Sequence, residues 1–240
     1  MNPEEFRQEL LKNNIELSDK QMEQFAKYFE FLVTENQKMN LTAITEASQV
    51  YLKHFYDSIT LGFEYPDLLN QEISVCDVGS GAGFPIIPLK IVNPDLKVTI
   101  VDSLGKRIKF LNELANKLSL SDCEFVHMRA EDAGQDKKYR AQFDLVVARA
   151  VARLNVLAEF CLPLIKSNGY FLAMKSENAP QELDEAQKAI ATLGGKIIQT
   201  NEFKLSDNNE QRVIIEIQKK KETPNKYPRK AGTPSKKPIQ

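Results

Sequence analysis

The 240 residues contain no tryptophan, two histidines and three cysteines. His54 and His127 are too few for a histidine-rich metal site. Cys76, Cys123 and Cys161 are far apart, odd in number and lack a C-x-x-C pair, so a disulfide framework is excluded and a reduced, cytoplasmic setting is expected. No apolar run approaches the roughly 18 residues of a membrane span. The acidic, amphipathic start MNPEEFRQELLKNNIEL lacks a signal peptide's basic region, apolar core and cleavage site. A membrane is therefore not an expected partner, and a monomer is the default expectation. Internal repeats are absent as well. Glycine is sparse, with ten in the chain, yet three of them fall within five residues at Gly79, Gly81 and Gly83.

With 42% hydrophobic residues the chain can bury one proper core. The net charge of −1 conceals an asymmetry. The last 22 residues, KKKETPNKYPRKAGTPSKKPIQ, carry seven Lys, one Arg and one Glu, which leaves the rest of the chain acidic. Two readings of this segment stand side by side: a basic arm for a polyanion, or a disordered solubilising tail.

Residues 1–70 read as helices. Phe6, Leu10 and Leu11, then Met22, Phe25, Phe29, Leu32 and Val33, recur at three- and four-residue spacing. Ser18 with Gln21 predicts a capping box, and a third helix is expected from about Ala47 to Phe63. From Ile73 the texture changes. ISVCDVG, LKVTIVD, CEFVHM, FDLVVAR and GYFLAMK read as strands, separated by stretches with helical periodicity. KIIQTNEF and QRVIIEIQ follow, joined by a polar turn at Ser206–Glu210. Such a sequence of elements predicts an α/β fold with a doubly wound, mostly parallel sheet and an antiparallel edge. The expected organisation is a helical extension over 1–70, a sheet domain over 71–218 and a basic tail over 219–240.

In such sheets a ligand sits beyond the carboxyl ends of the strands, near strand one. The stretch VCDVGSGAGFP lies there. It lacks the Lys–Ser/Thr that a P-loop requires. It also puts Phe84 where a dinucleotide site needs its third glycine. S-adenosylmethionine is the remaining candidate. Gly79 and Gly81 would let the main chain approach it. Asp77 would order the loop or reach the methionyl ammonium. Asp102, at the end of the second strand, would accept ribose hydroxyls, and it also suits a helix N-cap. Arg129–Asp132 follow the third strand, where an amide and an acid can face the adenine edge. Arg149 and Arg153 follow the fourth, four apart, and are expected to share a helical face at the cofactor mouth.

The segments MNLTAIT, HFYDSI, DVGSGAGFPIIPLKI, VDSLGKRIKFL, RAED, ARAVARL and YPRKAGTPSKKPI together resemble the glucose-inhibited division protein B family. Its members are bacterial methyltransferases that act on guanine N7 in small-subunit ribosomal RNA. The likeness covers nearly the whole chain. It implies a Rossmann-like class I methyltransferase sheet, S-adenosylmethionine as cofactor, and 16S ribosomal RNA or the small subunit as partner. It also implies cofactor contacts from Gly79, Phe84, Ala130, Glu131 and Arg149, with Asp102 and Ser103 as neighbours.

The chemistry fits that implication. The place after the fourth strand reads ARAVAR rather than the D/NPPY-type loop of exocyclic-amine methylation. Cys161 lies in an apolar helix and the other cysteines in strands, so none has the setting of a pyrimidine C5 nucleophile. Guanine N7 needs neither device, because its lone pair is free at neutral pH. Positioning can then carry catalysis, with no obligatory general base expected. Candidate RNA contacts are Lys106, Arg107, Arg153, Lys175 and the tail residues Lys226, Arg229, Lys230, Lys236 and Lys237. Tyr227 would either stack on a base or pack on the body. His54 would either line the site's mouth or serve the core, and His127 reads as structural. Two other readings remain: a methyltransferase of the same fold on another substrate, and an RNA-binding assembly factor without catalysis.

Overall fold

A computed structural model describes residues 1–205 and 210–240. Five helices come first: α1 (Pro3–Lys12), α2 (Asp19–Met39), α3 (Ala47–Val50), α4 (Asp57–Glu64) and α5 (Asp67–Asn70). The capping box at the start of α2 is present. Ser18 Oγ accepts from Gln21 N at 3.3 Å, and Gln21 Oε1 accepts from Ser18 N at 2.9 Å. The single helix expected over 47–63 is instead interrupted. A π-helical turn, Tyr51–Tyr56, links α3 to α4 and carries Lys53 and His54. Such turns widen the helix locally and often occur at functional sites.

The sheet and its helices follow: β1 (Ser74–Val78), α6 (Ile86–Val92), β2 (Lys97–Asp102), α7 (Gly105–Leu118), β3 (Cys123–His127), α8 (Ala130–Ala133), β4 (Phe143–Arg149), α9 (Leu154–Cys161), β5 (Ile165–Lys175), α10 (Ala179–Thr192), β6 (Gly195–Leu205), β7 (Glu210–Lys219) and α11 (Thr233–Lys236). The seven strands lie in the order β3-β2-β1-β4-β5-β7-β6. β7 runs antiparallel between β5 and β6. The last strand is thus antiparallel, as expected, but it lies one strand inside the sheet rather than at its edge. β6 takes the edge because β7 turns back to pair with β5. Most of the Ser206–Glu210 turn lies outside the described residues.

Alternation along the strands sorts the core into two layers. Val75, Val98, Ile100, Leu145 and Val147 face one side, where α6, α7 and the N-terminal helices pack. Cys76, Val101, Val146, Ala148 and Phe171 face the other, against α9 and α10. The N-terminal helices thus share a core with the sheet. Phe6, Phe25, Tyr28 and Phe55 form a chain of ring contacts that reaches Phe84 in the glycine loop. Tyr28 also donates its hydroxyl to the Ala82 carbonyl at 2.5 Å. The C-terminal segment folds back onto the second layer. Arg140 donates to the carbonyls of Tyr227 and Thr223, and Arg229 pairs with the buried Glu159. Among the described residues no helix is long and apolar enough to cross a membrane, and no cluster of His, Cys, Asp and Glu is arranged for a metal ion.

Candidate functional site

A cavity of about 530 Å³ opens beyond the carboxyl ends of β1, β2 and β4. Its floor is the loop from Gly79 to Phe84. Three glycines there adopt left-handed conformations, with φ of +76° at Gly79, +63° at Gly81 and +100° at Gly83, which side chains disfavour. Gly79 N donates to Val101 O at 2.8 Å, and the amides of Gly83 and Phe84 both donate to Ser80 O at 3.0 Å. A Cβ at Gly81 would meet nothing within 4 Å, because the cavity begins there.

Asp77 lies beneath this loop, fully buried, and not on the cavity wall. Its Oδ2 accepts from Ile86 N at 3.3 Å. Its Oδ1 and the Ser80 hydroxyl are buried without a partner among the described residues. Burial pushes the Asp77 carboxyl well above its ordinary pKa, against the opposing pull of the Ile86 amide and Arg149. Asp102, 2% exposed, is on the wall. Its Oδ1 accepts from Leu104 N at 2.9 Å, and its Oδ2 accepts from Gly81 N and from Arg107, each at 3.3 Å. Leu104 holds the N-cap position of α7, so Asp102 ties down the approach to that helix rather than capping it.

Ser103, Ala130 and Glu131 complete the β2–β3 side of the wall. Glu131 is buried and accepts from Gly232 N at 2.7 Å. Gly232 and Ser235 of the C-terminal segment thereby join the cavity lining. His127 stands apart from the cavity, with Nε2 donating to the Ser103 carbonyl at 3.1 Å.

The β4 side is built differently. Alternation turns Arg149 to the same face as Leu145 and Val147, toward the N-terminal helices. Its guanidinium donates to Asp57 Oδ2 at 2.8 Å and to His54 Nδ1 at 3.3 Å. It also lies over the Phe84 ring, 5.1 Å from the centroid. His54 also stacks on Phe84, at 4.5 Å and 18° between planes. Burial first, then the Arg149 charge, lowers the His54 pKa to about 3. Arg212 occupies the other Asp57 oxygen at 2.8 Å. After Arg149 the backbone turns through Ala150, at φ +56°, and leaves Val151 exposed. A second cavity, about 730 Å³, shares His54, Arg149, Ala150 and Val151 with the first.

The turn at Ala150 also separates the two arginines expected on one helical face. Arg149 ends β4, whereas Arg153 precedes α9 and pairs with Glu185 on α10. Other candidate RNA cations are similarly occupied. Lys175, its side chain 8% exposed, pairs with Glu182 and donates to the Ala152 carbonyl. Arg107 pairs with Asp102, Arg229 with Glu159, and Lys106 donates to the Met39 carbonyl. Lys226 lies over the Tyr227 ring, which is half-buried against the body. Lys226, Lys230, Lys236 and Lys237 are exposed. Leu41, Thr42 and Arg212 were missed by sequence reasoning. The first two lie in MNLTAIT, whose likeness to a family was visible while its place in the fold was not. Nothing in the sequence pointed to Arg212.

Three comparisons set this geometry among known proteins. The model of the GidB family, rRNA small subunit methyltransferase G, matches residues 21–214. Proteins named ribosomal RNA small subunit methyltransferase G are similar over the full length of both chains. The one from Lactobacillus acidophilus is 58% identical over 239 residues, and the one from Oceanobacillus iheyensis 57% over 240. Among solved structures, the YcgJ protein from Bacillus subtilis has a TM-score of 0.53 at 15% identity, over 69% of this chain and 99% of its own. A SAM-dependent O-methyltransferase from Thermotoga maritima also reaches 0.53 at 15%, over 79% of this chain and 71% of its own. At that identity the likeness carries the fold.

Proposed function

The chain belongs to the rRNA small subunit methyltransferase G family, and from that premise we propose that it transfers a methyl group from S-adenosylmethionine to N7 of one guanine in 16S ribosomal RNA. The observation that carries this reading is the cavity at the ends of β1, β2 and β4, floored by left-handed glycines and flanked by buried carboxylates.

The residues fit the cofactor. Gly81 leaves open space where a side chain would stand, and Asp77 Oδ1 and Ser80 Oγ are orphaned polar atoms under the loop. Gly79, Gly81 and Phe84 would hold its amino-acid end, with Asp77 fixing the loop from below. Asp102 and Ser103 would hold the ribose, and Ala130 and Glu131 would face the adenine. When bound, S-adenosylmethionine supplies a methyl carbon whose bond to sulfur breaks, the pair staying on sulfur, as the N7 lone pair forms the new N–C bond. No proton has to leave first, and the β4 side is built accordingly. Asp57 is held by two arginines, Glu182 by Lys175, and the His54 Nδ1 lone pair by Arg149. No acid or imidazole there stands free as a base among the described residues. Catalysis then rests on holding N7 in line with the methyl group. The cysteines offer no alternative. Burial pushes the thiols of Cys76 and Cys161 well up, and that of Cys123 to about 11.

We assign Lys230, Lys236 and Lys237 to phosphate contact, since their segment also supplies Gly232 and Ser235 to the cavity wall. The protein works as a monomer in the cytoplasm on this reading. The test is incubation with labelled S-adenosylmethionine and small ribosomal subunits from cells lacking the enzyme, followed by mapping. Label on one guanine N7 is expected. Bound cofactor without label on subunits or on naked RNA would overturn the substrate.

A further inference from the structure

The segment Asn40–Thr45 between α2 and α3 has a built geometry that the methyl-transfer reading leaves unused. Thr42 N accepts no role in a helix; it donates to Asn36 Oδ1 at 2.8 Å, which fixes the segment to the end of α2. Thr42 Oγ1 accepts from Ile44 N at 3.0 Å and lies 2.8 Å from His54 Nε2. The other imidazole nitrogen, Nδ1, faces Arg149 Nη2 at 3.3 Å. The Lys53 carbonyl is a competing acceptor for a ring hydrogen, but a guanidinium can only donate, so its contact with Nδ1 assigns the lone pair to Nδ1 and the hydrogen to Nε2. The low pKa of His54, about 3, excludes the doubly protonated ring at neutral pH. Nε2–H therefore donates to Thr42, and both lone pairs of that hydroxyl are taken. What remains is one O–H, without an acceptor among the described residues, on a side chain that lines the cavity.

Strand order places this O–H. Asp102 and Glu131 belong to the β2–β3 side, where hydroxyl and amino donors of a ligand would be met. Thr42 is tied to His54 and Arg149 on the β4 side, where the two cavities join. An acceptor presented at that junction is what a donor-only hydroxyl can read. Guanine displays N7 and O6 as adjacent acceptors on one edge, whereas adenine displays an amino donor in place of O6.

On the reading that guanine N7 is the methyl acceptor, we propose that Thr42 donates to O6 of that guanine, and that Arg149 and His54 act as positioning residues which make its hydroxyl a donor only. Adenine is then rejected because Thr42 has no lone pair left for its amino group. The same contact turns the base so that N7 faces the methyl group.

The test is a cycle of enzyme and substrate changes. Thr42→Val removes the hydroxyl at nearly constant volume, Thr42→Ser keeps it, and Thr42→Ala replaces the valine variant if that one does not fold. The target guanosine is replaced by 2-aminopurine, which keeps N7 and lacks O6. Thr42→Val is expected to lower kcat/KM on the natural RNA roughly tenfold, Thr42→Ser to restore most of it, and S-adenosylmethionine affinity to stay unchanged. Wild-type enzyme should lose a similar factor on the 2-aminopurine RNA, and Thr42→Val should lose nothing more on it. Losses that multiply, an unchanged rate in Thr42→Val, or weakened cofactor binding would each overturn the assignment; the last would place the hydroxyl on the cofactor. Failure of wild-type enzyme to label N7 of the natural RNA would instead defeat the methyl-transfer reading itself.

Discussion

Arg149 at the end of β4 and Asp57 at the start of α4 meet at 2.8 Å, and Arg212 reaches the other Asp57 oxygen at the same distance. The carboxylate is 3% exposed. One buried anion is therefore shared by two guanidiniums drawn from β4 and β7, with Glu210 giving Arg212 a second partner at 3.0 Å, and it ties the N-terminal helices to the sheet beside the cavity. Breaking a buried pair leaves an uncompensated charge, which is far more damaging than the pair is stabilising. Asp57→Asn is expected to destabilise the fold by about 3 kcal/mol, read from urea unfolding. Arg212→Ala leaves Arg149 its partner and should lose clearly less. Equal losses would mean that Asp57 serves Arg212 as much as the cavity wall.

The two glycines nearest the cavity separate fold from binding. Gly79 and Gly81 both have positive φ, so alanine at either is strained by roughly 1–2 kcal/mol. At Gly79 the new Cβ would also approach Val151 Cγ2 to 2.9 Å, whereas at Gly81 it would enter open space. Gly79→Ala is expected to lower the melting temperature more than Gly81→Ala. Gly81→Ala is expected to weaken S-adenosylmethionine binding at least tenfold while remaining folded, as calorimetric titration would record. Undiminished affinity in Gly81→Ala would remove the cofactor from that side of the loop.

Much of this architecture can be read along the chain because it depends on local rules. Alternation in ISVCDVG and FDLVVAR follows from two buried sheet faces, and the Ser18–Gln21 box is a contact three residues long. The glycine loop announces itself because positive φ at three nearby positions admits little else. The π-helical turn at Tyr51–Tyr56 leaves no such mark, and the packing of its His54 and Phe55 rings on Phe84 is a contact that no local spacing reveals. The Arg149–Arg153 pairing failed for a similar reason: four-residue spacing aligns side chains only inside a helix, and Ala150 breaks the chain's direction between them. Nor does any spacing reveal that Asp57 meets Arg149 and Arg212, 92 and 155 residues away.

The C-terminal segment is a basic stretch by composition and a wall element by geometry. Arg229 forms three contacts to the fully buried Glu159, through Nε and Nη2, and its amide adds a fourth at 2.8 Å. Three residues on, Gly232 N donates to Glu131. Arg229→Ala strands Glu159 without its cation, and the segment should release. Faster proteolytic cleavage within 224–240 is expected, together with S-adenosylmethionine affinity lowered severalfold through loss of Gly232 and Ser235 from the wall. Lys236→Ala should leave that affinity intact and reduce the salt dependence of RNA binding by about one unit of slope. Cofactor affinity unchanged in Arg229→Ala would show the segment to be dispensable for the cavity.

His54 gives the fold a defined acid sensitivity. In the unfolded chain its imidazole protonates near 6.5, while in the folded protein burial and Arg149 hold it neutral down to about 3. Between these values the unfolded state binds more protons, so this contribution is whole above pH 6.5 and is lost as pH falls through that window. From pH 6.5 to 5 the loss reaches at most about 2 kcal/mol. Asp77 acts in the opposite sense. Its raised pKa favours the fold below the ordinary carboxylate value and withdraws that support as pH rises through the folded one. The two effects overlap in the wild-type curve, so the comparison that isolates His54 is with His54→Gln, in which Asp77 remains. Urea midpoints at pH 7, 6 and 5 should fall more steeply for the wild type than for His54→Gln. Parallel curves would mean that His54 is not held neutral, and the donor-only state of Thr42 would fall with it.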